Sequence, residues 1–150
     1  PTATQRVGRV LFGPLQGLVW GSTRASLRVA PSAALRLQLT QQTTLPAGPV
    51  VRGMDDETRD QYLAAFRSLR SGRGFVCDLS HDSPSDAPIL QPTLILRGAH
   101  DRAVPPAHAA RLAALAPDHE LVEVDAESHF IWFGRAAGEV WDRRLEFLAG

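Results

Sequence analysis

Residues 91–150 alternate between two hydrophobic patterns, one typical of buried strands and one typical of amphipathic helices. Short continuous apolar runs at 92–97 and 121–124 predict two strands, because a strand covered on both faces carries apolar residues at successive positions. Apolar residues recurring on one face predict helices from about 106 to 115 and from about 136 to 148. The order strand, helix, strand, helix predicts the α/β fold class, with a parallel sheet and helical crossovers.

The first ninety residues carry weaker patterns, mostly helical, among scattered Gly, Pro and Thr. A helix is predicted over 55–70, because acidic residues lie at its start and apolar residues follow helical spacing. Another helix is predicted over 31–42, where Pro31 suits the first turn. Residues 43–53 contain two prolines and two glycines and predict a loop. Residues 11–20 are apolar but interrupted by Gly and Pro, which predicts short helices and not one long helix.

Composition narrows the possible functions of this 150-residue chain, whose hydrophobic content of 44% is that of a globular protein. Sixteen basic and sixteen acidic residues cancel, so net charge gives no support to binding of nucleic acid or anionic lipid. Every basic residue is Arg, which excludes Lys Schiff-base chemistry within the chain. Cys77 is the only cysteine, which excludes an intrachain disulfide and a Cys-rich zinc site. No apolar run approaches the roughly 20 residues that span a bilayer.

Two titratable side chains follow the predicted strands, at the edge of the sheet where ligands gather in parallel α/β proteins. Asp101 comes after the first strand and His129 after the second. Because adjacent parallel strands lie about 4.8 Å apart, we expect the carboxylate and the imidazole to meet within hydrogen-bond distance. A carboxylate bound to one ring nitrogen fixes the histidine tautomer and leaves the other nitrogen to act as a base. The pattern therefore predicts an Asp–His pair.

The segments around both residues resemble the α/β-hydrolase family. Residues 92–105 read PTLILRGAHDRAVP and resemble the acid-bearing strand and loop of that family. Residues 127–130 read ESHF and resemble its histidine loop. The resemblance implies that Asp101 is the catalytic acid and His129 the catalytic base, in the family order of acid before histidine.

The resemblance also implies a partial α/β-hydrolase fold. Residues 91–150 would form the C-terminal part of the core, with two parallel strands and flanking helices, and residues 1–90 a mostly helical cap. The nucleophile elbow, Gly-x-Ser-x-Gly, is absent, since the matching glycine spacing at 13–17 has Leu at its centre. We therefore expect the nucleophile upstream of Pro1, and the missing N-terminal part of the hydrolase core as a partner. Any targeting signal would also lie upstream, and a cytoplasmic location is expected.

The expected reaction is hydrolysis of a carboxylic ester or related acyl bond in a small, apolar substrate, and the resemblance implies no metal or organic cofactor. An epoxide hydrolase, a C–C hydrolase and a haloperoxidase-like enzyme remain open, because all keep the same Asp–His pair. Tyr62 is the only tyrosine that could present a hydroxyl to an epoxide. A non-catalytic ligand-binding relative and one chain of a split enzyme also remain open.

Other polar residues are better explained without chemistry. His100 is expected to shape the loop before Asp101. Asp125 and Glu127 lie too close in sequence to His129 to hold its ring from the neighbouring strand. Three residues with metal-ligating side chains lack a regular ligand spacing: His81, Asp82 and Asp86.

Overall fold

The computed structural model describes residues 15–69 and 86–150. The start of the apolar segment at 11–14, Cys77, and the pair His81 and Asp82 lie outside the described residues. The chain divides into two compact units, one of Pro1–Ala34 with Leu63–Ser85 and the other of Leu35–Tyr62 with Asp86–Gly150. The sequence-based division into a cap at 1–90 and a core at 91–150 stays a prediction.

In the two described ranges, four helices precede the sheet: α1 (Gln16–Val29), α2 (Pro31–Leu39), α3 (Ala47–Gly53) and α4 (Asp56–Ser68). The helices predicted at 31–42 and 55–70 are confirmed, with shorter ends. The side chain of Asp55 starts α4 by accepting a hydrogen bond of 2.7 Å from the amide of Thr58. That bond holds the pKa of the Asp55 carboxyl below its usual value.

One prediction in this region is wrong. The predicted loop at 43–53 contains α3, because Pro49 falls in the first turn, where a missing N–H removes no helical hydrogen bond. Of the segment predicted to form short helices, residues 16–20 lie in α1, a helix of 14 residues. This helix begins after Pro14 and includes Gly17 and Gly21, whose cost of roughly 1 kcal/mol each it tolerates. The expected break near Gly13 and Pro14 lies outside the described residues and stays a prediction.

In the first unit, α1 and the C-terminal half of α4 share a small core. Leu27 of α1 and Phe66 of α4 are both fully buried. Arg67 of α4 also donates a hydrogen bond of 3.1 Å to the carbonyl of Leu27. This core accounts for the helical spacing of apolar residues at the end of α4.

The second unit contains a two-stranded parallel sheet of β1 (Thr93–Gly98) and β2 (His119–Val124), joined by α5 (Pro106–Leu115). A short 3-10 helix (Gly134–Ala136) leads into α6 (Ala137–Ala149). The register pairs Gly98 with Val124, so both strands end at the same level. The predicted α/β class, parallel sheet and helical crossover are therefore confirmed.

One face of the sheet is covered by the segment that follows β2 and by α6. The buried cluster there consists of Val124, Ala126, Ile131, Ala136 and Val140, and Leu96 and Val122 pack against it. Burial of both faces is not complete, since Leu121 in β2 keeps 44% of its surface exposed. Full burial needs further strands or helices beside this pair, and the described residues supply only two strands.

None of the helices in the two described ranges has the length and apolar character needed to cross a bilayer.

Gly98, the last residue of β1, lies against the segment that carries His129. A Cβ atom at Gly98 would stand 3.0 Å from the carbonyl oxygen of Ser128 and 3.2 Å from a methyl group of Ile131. A backbone carbonyl cannot move aside as a flexible side chain can. The close approach of the two loops therefore favours glycine at this position.

We predict that Gly98→Ala lowers the free energy of unfolding by about 1–3 kcal/mol, because the new methyl group overpacks the contact with the Ser128 carbonyl. The matched control is Gly138→Ala in α6, where a new Cβ meets nothing within 4 Å. That variant should be neutral or gain up to about 1 kcal/mol from better helix propensity. Denaturant unfolding of both variants measures the difference, and equal effects would contradict the close approach.

Candidate active site

Asp101 lies in the turn that follows β1, and one of its carboxylate oxygens holds that turn together. Oδ1 accepts hydrogen bonds from the backbone amides of Ala103 at 2.8 Å and Val104 at 2.9 Å. The amide of Asp101 itself donates to the carbonyl of Gly98 at 3.3 Å. Asp101 therefore stabilises its own turn, but these hydrogen bonds use only one of its two carboxylate oxygens.

The second oxygen of Asp101 meets the histidine. Oδ2 lies 2.8 Å from Nδ1 of His129, and both side chains are partly buried. The contact expected from the sequence is thus confirmed. Because an ionised carboxylate can only accept, Nδ1 carries the proton and donates it, which leaves Nε2 as the unprotonated ring nitrogen. In the described parts of the chain, no group donates a hydrogen bond to Nε2.

The segment between α2 and α3 joins the acid loop to the histidine loop through backbone groups. The carbonyl of Gln42 accepts hydrogen bonds from the amides of His129 at 2.8 Å and Arg102 at 3.4 Å. Thr43 forms an antiparallel bridge with Asp101. The sequence analysis placed Gln42 at the end of the helix predicted over 31–42 and Thr43 in the predicted loop. It missed the role of this segment, since backbone carbonyls leave no sequence signal.

Ser128, directly before His129, makes a buried hydrogen bond with Tyr62 of α4. Tyr62 Oη lies 2.6 Å from Ser128 Oγ, and the two residues are 3% and 1% exposed. Ser128 Oγ also accepts from the amide of Phe130 at 3.2 Å. Burial raises the pKa of the Tyr62 hydroxyl above its usual value; the Ser128 hydrogen bond opposes this rise and the charge of Glu127 adds to it.

A cluster of aromatic rings lies at the histidine loop. Tyr62 meets the rings of Phe130 and Phe133 edge-on, at centroid distances of 5.7 and 5.1 Å. Trp132 contacts the same two rings, lies 6.3 Å from the ring of His129, and is 46% exposed. The cluster therefore joins the buried Tyr62 to an exposed apolar ring beside the imidazole.

The remaining candidates take structural positions. His100 lies near Thr44 and Asp125, at 3.4 Å from Thr44 Oγ1 and 3.9 Å from Asp125 Oδ1. Asp125 pairs with Arg135 at 3.0 Å and not with His129. Asp86 pairs with Arg111. Within the described ranges, no three His, Cys, Asp or Glu side chains come together as metal ligands.

A cavity of about 170 Å³ borders the Asp101–His129 pair on its open side. It is lined by Ile95 to Gly98 of β1, by the first turns of α5 and by apolar residues of the two loops. The pair therefore borders a mainly apolar cavity.

We predict that the native Tyr62 hydroxyl titrates above pH 10 and returns to about 10 in denaturant, because burial disfavours the phenolate. The contribution of the neutral Tyr62 hydroxyl to the free energy of unfolding is fully present below pH 10. It is lost as the pH rises through the native pKa. Phenolate absorbance reports Tyr62 alone, since the chain has one tyrosine. A native midpoint at or below the denatured one would show a hydrated hydroxyl.

Comparison with known proteins identifies the fold. No protein-family model matches the chain. The protein named Uncharacterized hydrolase YcgS from Bacillus subtilis (strain 168) is 26% identical over 148 residues, which cover 95% of this chain and 52% of that protein. The solved structure of an alpha/beta hydrolase fold protein from Nakamurella multipartita matches with a TM-score of 0.69 at 23% identity, covering 99% of this chain and 54% of that one. The chain thus spans about half the length of the proteins that it matches. Its two parallel strands and flanking helices form part of an α/β-hydrolase fold.

Proposed function

We propose that the chain is the C-terminal part of an α/β-fold hydrolase that cleaves a carboxylic ester or related acyl bond. Its nucleophile would lie in a part of the protein that precedes Pro1. The observation that carries this proposal is the 2.8 Å hydrogen bond between Asp101 and His129 at the ends of two neighbouring parallel strands. The relative from Bacillus subtilis, named a hydrolase, supports the same class of reaction.

The geometry of the pair supports a defined catalytic cycle. The upstream nucleophile attacks the acyl carbon while His129 Nε2 takes its proton. Asp101 holds the ring in the required tautomer and stabilises the imidazolium that forms. His129 then returns the proton to the leaving group as the acyl–oxygen bond breaks. Water repeats the sequence on the acyl intermediate and regenerates the nucleophile. No metal or organic cofactor takes part in these steps.

The rest of the hydrolase core is the partner that this proposal requires. The chain spans about half of the proteins it matches, and residues of β1 line the cavity beside Asp101 and His129. Exposed Leu121 shows that the sheet face is also incomplete in the described residues. We propose that the missing strands pack against these surfaces and bring the nucleophile to Nε2. We also propose a cytoplasmic location, which is the expectation from the sequence.

The surroundings of the pair favour an apolar acyl substrate. Trp132 exposes nearly half of its surface beside the His129 ring and can pack against an apolar group. The hydroxyl of Tyr62 is buried and forms a hydrogen bond with Ser128. It is therefore not available to a substrate oxygen, which favours acyl hydrolysis over epoxide opening.

In the full-length protein, we predict that His129→Ala lowers kcat/KM for p-nitrophenyl acetate by about 10³-fold or more, because the nucleophile loses its base. The matched control is His119→Ala. His119 is the first residue of β2 and pairs with Thr93, at the end of the sheet opposite to the acid loop. That variant should keep wild-type activity. Near-normal turnover by His129→Ala would remove His129 from the mechanism.

Asp101→Asn tests the second member of the pair without unfolding its loop. The Asn carbonyl can still accept from the amides of Ala103 and Val104, but its amide nitrogen then faces Nδ1 of His129. The ring must present an unprotonated Nδ1 and a protonated Nε2, which cannot act as a base. We expect kcat to fall by about 10³–10⁴-fold with an unchanged melting temperature. A loss of activity matched by unfolding would assign Asp101 to structure alone.

A non-catalytic relative would behave differently. A fluorophosphonate probe should label the wild-type full-length protein at the nucleophile and label His129→Ala far more slowly. Ligand binding without labelling, and without turnover of the ester, would favour a binding protein.

A further inference from the structure

The histidine loop has an anchor that neither strand supplies. The buried contact between Tyr62 Oη and Ser128 Oγ joins residues 66 positions apart in the chain. It ties the middle of α4 to the residue directly before His129. The hydroxyl of Ser128 also accepts from the amide of Phe130, directly after His129. One serine side chain therefore spans the backbone on both sides of the histidine.

The ring of Tyr62 adds a second set of contacts to the same loop. It lies edge-on to Phe130 and Phe133, and those two rings stack at a centroid distance of 5.8 Å. Edge-on aromatic pairs of this kind attract each other beyond the effect of burial alone. The aromatic contacts fix where the loop lies, and the hydroxyl pair fixes its backbone at Ser128.

Together with the contacts of His129 itself, the anchor leaves little freedom to the imidazole. The His129 amide donates to the Gln42 carbonyl, and its Nδ1 donates to Asp101. These two contacts orient the residue from the acid loop and from the segment between α2 and α3. The contact of Ser128 with Tyr62 adds a tie to α4, a third element outside both loops.

The geometry points to Tyr62 and Ser128 as positioning residues that hold the His129 loop, and with it Nε2, at a fixed distance from the nucleophile. This role rests on the proposed acyl hydrolase. Neither side chain touches the substrate or the reacting atoms. Their effect comes through placement, since an error of about 1 Å in a reacting group can lower a rate by about 100-fold.

The test uses the full-length protein and three variants, with p-nitrophenyl acetate as the substrate. Tyr62→Phe keeps the ring and its aromatic contacts and removes only the hydroxyl. Ser128→Ala removes the other partner, and the third variant combines both changes. We expect each single variant to lower kcat by between about 10- and 100-fold with KM unchanged. The double variant should lose no more than the worse single one, because the two hydroxyls act as a unit.

A matched control separates positioning from loss of stability. Val51→Ala removes buried apolar volume in α3 without deleting a hydrogen bond of the histidine loop. All variants are assayed well below their melting temperatures. The positioning role is overturned if Tyr62→Phe keeps wild-type kcat, if it loses only what Val51→Ala loses, or if the two single losses multiply in the double variant.

Hydrogen exchange gives a readout that does not depend on turnover. The Phe130 amide should exchange faster in Tyr62→Phe than in the wild type, while Val51→Ala leaves it unchanged relative to global unfolding. Faster exchange with unchanged kcat shows a held loop without a catalytic consequence, and the positioning role alone fails. A wild-type protein that neither hydrolyses the ester nor reacts with a fluorophosphonate shows that the proposed function fails, and the positioning role with it.

Discussion

The parallel pairing of β1 with β2 sets the geometry of everything that follows these strands. The register ends both strands at the same level, so the turn after Gly98 and the turn after Val124 leave the sheet side by side. The amide of Ala99 then donates to the carbonyl of Val124, which continues the contact past the last pair. A carboxylate in one turn and an imidazole in the other are within reach for this reason. Without the pairing, the two turns that carry Asp101 and His129 would not leave the sheet side by side.

Three further contacts turn this proximity into a defined geometry. Glycine at position 98 lets the backbone of the histidine loop approach β1, where any side chain would meet the Ser128 carbonyl. The Gln42 carbonyl binds both loops at once through their amides. Tyr62 holds the residue before His129 from the core side. The described structure thus fixes the imidazole from several directions, which is the preorganisation that acid–base catalysis requires.

The exposed apolar residues of β2 and α6 follow from the small size of the sheet. Two strands expose more apolar surface than a complete sheet would, as Leu121 and the apolar residues of α6 show. Three apolar residues of α6 are exposed to solvent: Trp141, Leu145 and Leu148. They recur at the spacing of one helical face, which is typical of a face that packs against another element. The match to about half of two longer proteins agrees with this.

The sequence by itself determined the elements around the site and the identity of its two titratable residues. Continuous apolar runs identified β1 and β2, and the loops after them already contained Asp101 and His129. Both can be read from the sequence, because the order of elements along the chain and the positions of titratable residues are local properties. Local pattern was less informative at 43–53, where Pro49 suggested a loop but suits the first turn of α3. Only the tertiary structure showed that Gln42, Gly98, Tyr62 and Ser128 serve the histidine loop. Their contacts join residues far apart in the chain, through backbone groups and buried hydroxyls that any core could contain, so no local pattern distinguishes them.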